Sequence, residues 1–155
     1  MIKSVKINEC TNLVLRKLTR AVSRHYDRYL SSAQLKITQY TLLSHVAVLG
    51  PVGLGKLARV MEMDASTLTR NMRPLLDQKL ISLCPGLDAR SRSVEMTGEG
   101  RARWTTARLA WREAQNSLHE KLSPERVCEL HEILGHSLKA MNKDHGSPRG
   151  ICDAE

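Results

Sequence analysis

The sequence predicts a mainly α fold carrying one small β-hairpin, on three grounds. Apolar residues recur every three to four positions through most of the 155 residues, the spacing of amphipathic helices. Two short runs, residues 80–84 and 92–96, have strand-like composition instead, and they flank a turn-rich Pro85-Gly-Leu-Asp-Ala-Arg-Ser91 segment. With 41% hydrophobic and 26% charged residues the chain is expected to fold, and its length suits a single domain over 1–155.

Each element follows from local pattern. Over residues 10–30, Val14, Leu15, Leu18, Val22, Tyr26 and Tyr29 make an apolar stripe. Arg16, Lys17, Arg20, Arg24 and Arg28 mark the wet face of the same long helix. After a polar break at Ser31-Ser32, residues 38–49 offer Leu42, Leu43, Val46 and Ala47 as an apolar face and stop at Gly50-Pro51. Leu54, Leu57, Ala58 and Met61 give a short third helix, with Gly53-Leu54-Gly55 in the turn that opens it.

The fourth helix has the clearest start. Asp64 caps the exposed amides of its first turn, and Met63 and Leu68 have hydrophobic-staple spacing. Leu68, Met72, Leu75 and Leu76 face inward, which leaves Ser66, Thr67, Thr69, Arg70 and Arg73 directed outward. Pro74 lies inside this helix, where it cannot donate to the Arg70 carbonyl and crowds it, predicting a kink or early loosening. The hairpin with a basic tip comes next. Thr97 then opens a helix with Trp104, Ala107, Trp111, Ala114, Leu118 and Leu122 on one face. Ser123-Pro124 combines an N-cap with proline at the first helical position, and Val127, Leu130, Leu134, Leu138 and Met141 follow in register. Residues 143–155 read as a flexible tail.

The formal charge of +8 and pI near 9.6 point to a polyanionic partner, nucleic acid first. Two Trp, three Tyr and no Phe cannot form a row of stacking platforms, which excludes aromatic single-strand readers and leaves duplex binding. Two helices, a capped helix with outward hydroxyls and guanidiniums, and a hairpin with arginines make a winged helix-turn-helix over residues 36–100. In that arrangement Ser66, Thr67, Thr69, Arg70 and Arg73 reach base edges in the major groove, and the amino end of their helix favours phosphate. Arg90 and Arg92 suit the narrower, more negative minor groove. Net charge is +6 over residues 1–50, +3 over 51–92 and −1 over 93–155, so the motif-bearing segment is basic and the carboxy-terminal helices nearly neutral.

On these residues the chain resembles the MarR (multiple antibiotic resistance regulator) family of bacterial transcription factors. The matching positions are Leu57-Ala58, Met63-Asp64-Ala65-Ser66-Thr67-Leu68-Thr69-Arg70, Leu80-Ile81, Asp88-Ala89-Arg90 and Met96-Thr97-Gly98-Glu99-Gly100. The resemblance implies a homodimeric regulator, read as a repressor, on a palindromic double-stranded operator, with 8–30 and 101–142 as dimerisation helices. It also implies that Asp88 braces the wing by pairing with a nearby arginine and that Arg90 enters the minor groove. Met96 stands where the family usually has leucine, and Pro74 is absent from many relatives.

The resemblance further implies a response to small aromatic or anionic ligands. The candidates are His25, Tyr26, Tyr40, His45, Trp104 and Trp111, with Arg16, Arg20 or Arg24 for a carboxylate, and an aromatic acid or phenol as inducer. The same rings equally suit an amphipathic core. One branch of the family senses organic peroxides through a first-helix cysteine, so Cys10, close in sequence to Lys3 and Lys6, gives the alternative of a thiol-based sensor. No metal site is expected, since His131 and His136 are five residues apart and no HxxxH pair occurs. Cys10, Cys84, Cys128 and Cys152 form no CxxC and are expected as free thiols. No cofactor is expected, and without a G-x-S-x-G, P-loop or dinucleotide fingerprint neither is an enzyme. A winged helix that contacts only protein is a third possibility, which the arginines of the hairpin tip argue against. The amino terminus lacks the apolar stretch of a signal peptide and no window approaches a membrane span, so a cytoplasmic protein with no membrane partner is expected.

Overall fold

In the computed structural model, which describes residues 10–86 and 91–143, six helices accompany one small sheet. The helices are α1 (Thr11–Leu30), α2 (Ile37–Leu49), α3 (Leu54–Val60), α4 (Ala65–Asp77), α5 (Gly98–Leu122) and α6 (Pro124–Lys143). A single 3₁₀ turn, Ser31–Ala33, links α1 to α2. The strands are β1 (Val52–Gly53), β2 (Ile81–Pro85) and β3 (Arg92–Met96). Residues 1–115 form one compact unit and residues 116–155 a second.

The first unit is built around aliphatic side chains. Leu42, Leu43 and Val46 of α2, Leu57 of α3, Leu68 and Leu75 of α4, and Leu80, Ile81 and Val94 around the sheet are almost completely buried. Burial of each stabilises the fold by about 1.5–3 kcal/mol relative to exposure. Ala47 and Leu76, expected on the inner faces of α2 and α4, are only half-buried.

The hairpin forms with Ile81 opposite Met96 and Pro85 opposite Arg92. Sequence pattern predicted two strands and placed Gly53 in a turn, whereas the sheet has three in the order β1-β3-β2. Val52 pairs with Val94 and Gly53 with Ser93. Two residues are too few to show alternation, so β1 carries no strand signal of its own.

Pro74 does not end α4, which continues through Asp77. The expected loosening is absent because one lost backbone bond is offset by the fully buried Leu75, which pins the last turn to the core. Lys79, at φ +56°, then closes the helix: its N–H donates to Leu76 O and the Leu80 N–H to Leu75 O, both at 2.9 Å.

This helix end is joined to the start of α5. The Thr97 N–H donates to the Leu80 carbonyl at 3.1 Å, and the Thr97 hydroxyl lies 2.7 Å from Lys79 O and 3.2 Å from Leu80 O. Thr97 Oγ1 in turn accepts the Gly100 N–H at 3.0 Å, capping α5. A Cβ on Gly100 would stand 1.9 Å from the Leu80 oxygen, so only glycine fits there.

In the second unit, Ser123 caps α6 as expected, accepting the Arg126 N–H at 3.4 Å. Along α6, Val127 is buried and Leu130 and Leu134 are half-buried, but Ile133, Leu138 and Met141 are more than half exposed. In the first unit, Val14 and Leu15 of α1 and Leu109 of α5 are likewise exposed. Among the described residues no helix is long and apolar enough to cross a membrane.

Gly100→Ala is expected to lower unfolding stability by roughly 2 kcal/mol or more, because the new methyl collides with backbone that cannot move independently. Gly98→Ala, whose Cβ meets nothing within 4 Å, should be neutral or slightly stabilising. Denaturant midpoints of the two variants would contradict the account of this joint if they coincided.

Candidate nucleic-acid interface

The surface built by α4 begins with its cap. Asp64 has extended backbone, and its carboxylate Oδ1 accepts the Thr67 N–H at 2.7 Å. The Ser66 hydroxyl donates to the same oxygen at 2.6 Å and the Thr67 hydroxyl to Oδ2 at 2.7 Å. The Ser66 hydroxyl, then the Thr67 amide and hydroxyl, hold the Asp64 carboxyl well below the usual carboxylate range. The reading of Asp64 as N-cap is thus right, with two consequences the sequence did not reveal. The hydroxyl protons of Ser66 and Thr67 point at Asp64 rather than outward. The amino end of α4, expected to favour phosphate, carries its own anion.

Beyond the cap, Ser66, Thr69, Arg70 and Arg73 are exposed and Thr67 is half-buried. Thr69 donates its hydroxyl proton back to Ala65 O at 2.8 Å. Arg70 and Arg73 have no acidic partner among the described residues. The outer face of α4 therefore combines oxygen acceptors in its first turn with two unneutralised guanidiniums in the next. Asn71, half-buried beside them, donates weakly to Met63 Sδ at 3.5 Å.

The wing is closed at its root by the Gly86 N–H donating to Ser91 O at 2.9 Å, and a Cβ on Gly86 would fall 2.2 Å from Ser91 Oγ. Arg92 is exposed at the outer end of β3. Asp88 and Arg90, the expected brace and minor-groove arginine, lie outside the described residues. Beside the wing root a cleft of about 450 Å³ is lined by Pro51, Val52, Gly53, Lys56, Pro85, Gly86, Ser91 and Ser93. Lys56, and Arg59 on the same short helix, are exposed cations that sequence reading passed over. The polar positions of α3 were the available signal.

The residues proposed for ligand binding are placed differently from one another. His25 is buried and its Nε2 lies 2.9 Å from the Ala114 carbonyl, with Tyr26 and Tyr29 packed against the ring. The Tyr26 hydroxyl donates to Gln115 Oε1, and burial raises its pKa. Tyr40 stacks on Trp111 at 6.0 Å, and burial outweighs the opposing effects of Ser44, Arg108 and Arg112 to raise its pKa as well. Trp104 Nε1 donates to Ser44 Oγ at 2.9 Å while Arg108 lies over its indole. His45 Nδ1 is 2.8 Å from Thr41 O and lines a cavity of about 290 Å³ with Ser44, Val48, Leu49 and Val60. Thus several of these polar tips are engaged in packing α1 and α2 onto α5. Arg16, Arg20 and Arg24 stand on the exposed face of α1, turned away from the buried face that carries His25 and Tyr26. The structure does not bring the arginines and the rings together.

Cys10 is exposed at the N-cap of α1 and makes no capping bond. Cys84 and Cys128 are also free thiols, and Cys152 lies outside the described residues. Among the described residues no three His, Cys, Asp or Glu side chains cluster as a metal site would require.

The fold recurs in solved structures. The Mycobacterium tuberculosis transcriptional regulator MosR, solved in complex with DNA, is 28% identical, with 86% of this chain and 98% of that one covered and a TM-score of 0.74. MarR from Escherichia coli, as a mutant complexed with operator DNA, is 22% identical over 87% of this chain and 99% of that one, with a TM-score of 0.77. The chain has the fold of the MarR-family regulators. A third structure of this MarR-type fold, Bordetella bronchiseptica BpsR, is 17% identical over 88% and 99% of the two chains, at TM-score 0.77. It concerns regulation of BpsR DNA binding by 6-hydroxynicotinic acid. No protein-family model and no curated protein matches the chain.

Because the Asp64 carboxyl is held below its unfolded value, its capping contribution is complete above the ordinary carboxylate range and is lost as pH falls towards the folded value. Asp64→Ala should therefore melt at a lower temperature than the parent at neutral pH. The gap should shrink progressively below about pH 4, and a gap independent of pH in thermal melts would contradict the carboxylate cap.

Proposed function

We propose that the chain is a sequence-specific double-stranded DNA-binding transcriptional regulator, acting in the cytoplasm as a homodimeric repressor on a palindromic operator. The observation that carries this reading is the outer face of α4, where Arg70 and Arg73 stand exposed and unneutralised on a helix anchored at both ends. A helix of this width fits the major groove, and guanidiniums match the O6 and N7 acceptors of guanine. Arg92 on β3, with Arg90 two positions before it in sequence, would contact the minor groove, and Asp88 would brace the wing. The likeness to MosR and MarR, each solved with DNA, supports the same use of the surface.

The dimer reading rests on apolar side chains that each unit leaves in solvent. Val14, Leu15 and Leu109 in the first unit and Ile133, Leu138 and Met141 in the second are the residues a second copy would cover, within the dimerisation helices 8–30 and 101–142. Release by a small aromatic or anionic compound is supported by the likeness to BpsR. The exposure of Cys10 favours a second reading, a thiol-based peroxide sensor. Peroxide release that persisted in Cys10→Ser would remove it.

Arg70→Ala should weaken binding to the selected operator about 5- to 150-fold and relax preference at one base pair. Arg90→Ala should weaken binding more evenly across sequences. Titrations at one fixed salt concentration that gave parental affinity for both would contradict the assignment. Leu138→Glu combined with Met141→Glu should convert the dimer to monomer in sedimentation, and an unchanged dimer would place the subunit contact elsewhere.

A further inference from the structure

The hydroxyls on α4 have a fixed hydrogen-bond polarity. A Ser or Thr hydroxyl has one proton to give and two lone pairs with which to accept. The Ser66 proton is given to Asp64 Oδ1, the Thr67 proton to Asp64 Oδ2 and the Thr69 proton to Ala65 O, at 2.6, 2.7 and 2.8 Å. All three bonds lie at the exposed surface. What each oxygen still presents outward is acceptor capacity alone. The guanidiniums of Arg70 and Arg73, one turn on, present only donors.

We propose that Asp64 is a positioning residue for base readout, holding the Ser66 and Thr67 hydroxyls as acceptors so that the first turn of α4 selects bases with a major-groove donor. Those donors are the N4 amino group of cytosine and the N6 amino group of adenine. Arg70 and Arg73 select the complementary set, the guanine acceptors. The recognition surface is thereby divided into an acceptor half and a donor half by one carboxylate. The Ser66 and Thr67 bonds are also the ones that hold the Asp64 carboxyl well below the usual carboxylate range, so the ionised state that fixes their polarity is maintained. The inference rests on the reading of α4 as the DNA-contacting helix.

Asparagine is as good an N-cap as aspartate, so Asp64→Asn separates polarity from folding. Its amide oxygen keeps the Thr67 N–H, and its amide nitrogen replaces Oδ2 as a donor facing Thr67 Oγ1. The Thr67 proton then has no carboxylate to meet and turns outward, where it matches the acceptors guanine O6 or N7, thymine O4 or adenine N7 but finds none on cytosine.

The experiment is selection from a randomised duplex library at one salt concentration, using the full chain, Asp64→Asn, Thr67→Val and Arg70→Ala, with circular dichroism melts alongside. The parent should enrich one orientation of the base pair under the first turn of α4, with cytosine or adenine on one fixed strand. Asp64→Asn should shift that position towards guanine or thymine by about fivefold or more, and Thr67→Val should lose discrimination there. A parent that accepts both orientations of that base pair overturns the proposal. So does a folded Asp64→Asn that keeps the parental preference, or, should that variant not fold, a Thr67→Val that keeps it. If Arg70→Ala changes preference while Asp64→Asn and Thr67→Val do not, only this proposal fails. A parent that enriches no sequence overturns the DNA reading and the proposal with it.

Discussion

The carbonyl of Leu80 is the point on which the winged unit depends. It receives the Thr97 N–H, lies within reach of the Thr97 hydroxyl, and is approached so closely by α5 that position 100 has no room for a Cβ. Through the Leu80 N–H the same residue closes the carboxy end of α4. One residue, through its N–H and its C=O, therefore ties the end of the outward-facing helix, the start of β2, the end of β3 and the first turn of α5. Leu80 and Ile81 are themselves buried, so these bonds are shielded from competition with water. A helix so held at its end and capped at its start keeps its side chains in register with the wing, which is what reading a groove requires.

Electrostatics on that helix are a balance rather than a simple excess of positive charge. Asp64 puts a carboxylate at the end of α4 that would otherwise attract phosphate, and the guanidiniums of Arg70 and Arg73 follow within three turns. The carboxylate stabilises the helix through its orphan amide and opposes the approach of a polyanion at the same place. Net attraction then depends on the arginines, on Arg92 of β3 and on the exposed cations Lys56 and Arg59 of α3. The most basic part of the chain, residues 1–50 at +6, owes much of its charge to the solvent face of α1.

The parts legible in the sequence were those written in local chemistry. Helical spacing, the Gly50-Pro51 stop, the Asp64 cap and the Ser123-Pro124 start each correspond to a backbone group that needs a partner or lacks one, and the structure has them where they were expected. What sequence could not show depends on neighbours far along the chain. Strand β1 exists only because β3 offers it an edge, and Pro74 is tolerated only because Leu75 is gripped by the core. The outward direction of Ser66 and Thr67 was predictable from helical phase, whereas the direction of their protons required the carboxylate's position. The candidate ligand residues were chosen for ring chemistry, yet His25, Tyr26 and Trp104 use their polar atoms to join helices within the first unit. Asp88 and Arg90 lie outside the described residues.

The central claim, that the outer face of α4 is the surface that reads duplex DNA, is tested most directly by solving the chain bound to the duplex it selects. The account predicts α4 in the major groove, with Arg70 and Arg73 on base edges and Arg92 beside the adjoining minor groove. A complex in which α4 faces solvent while α1 or the cleft beside Lys56 holds the duplex would contradict it.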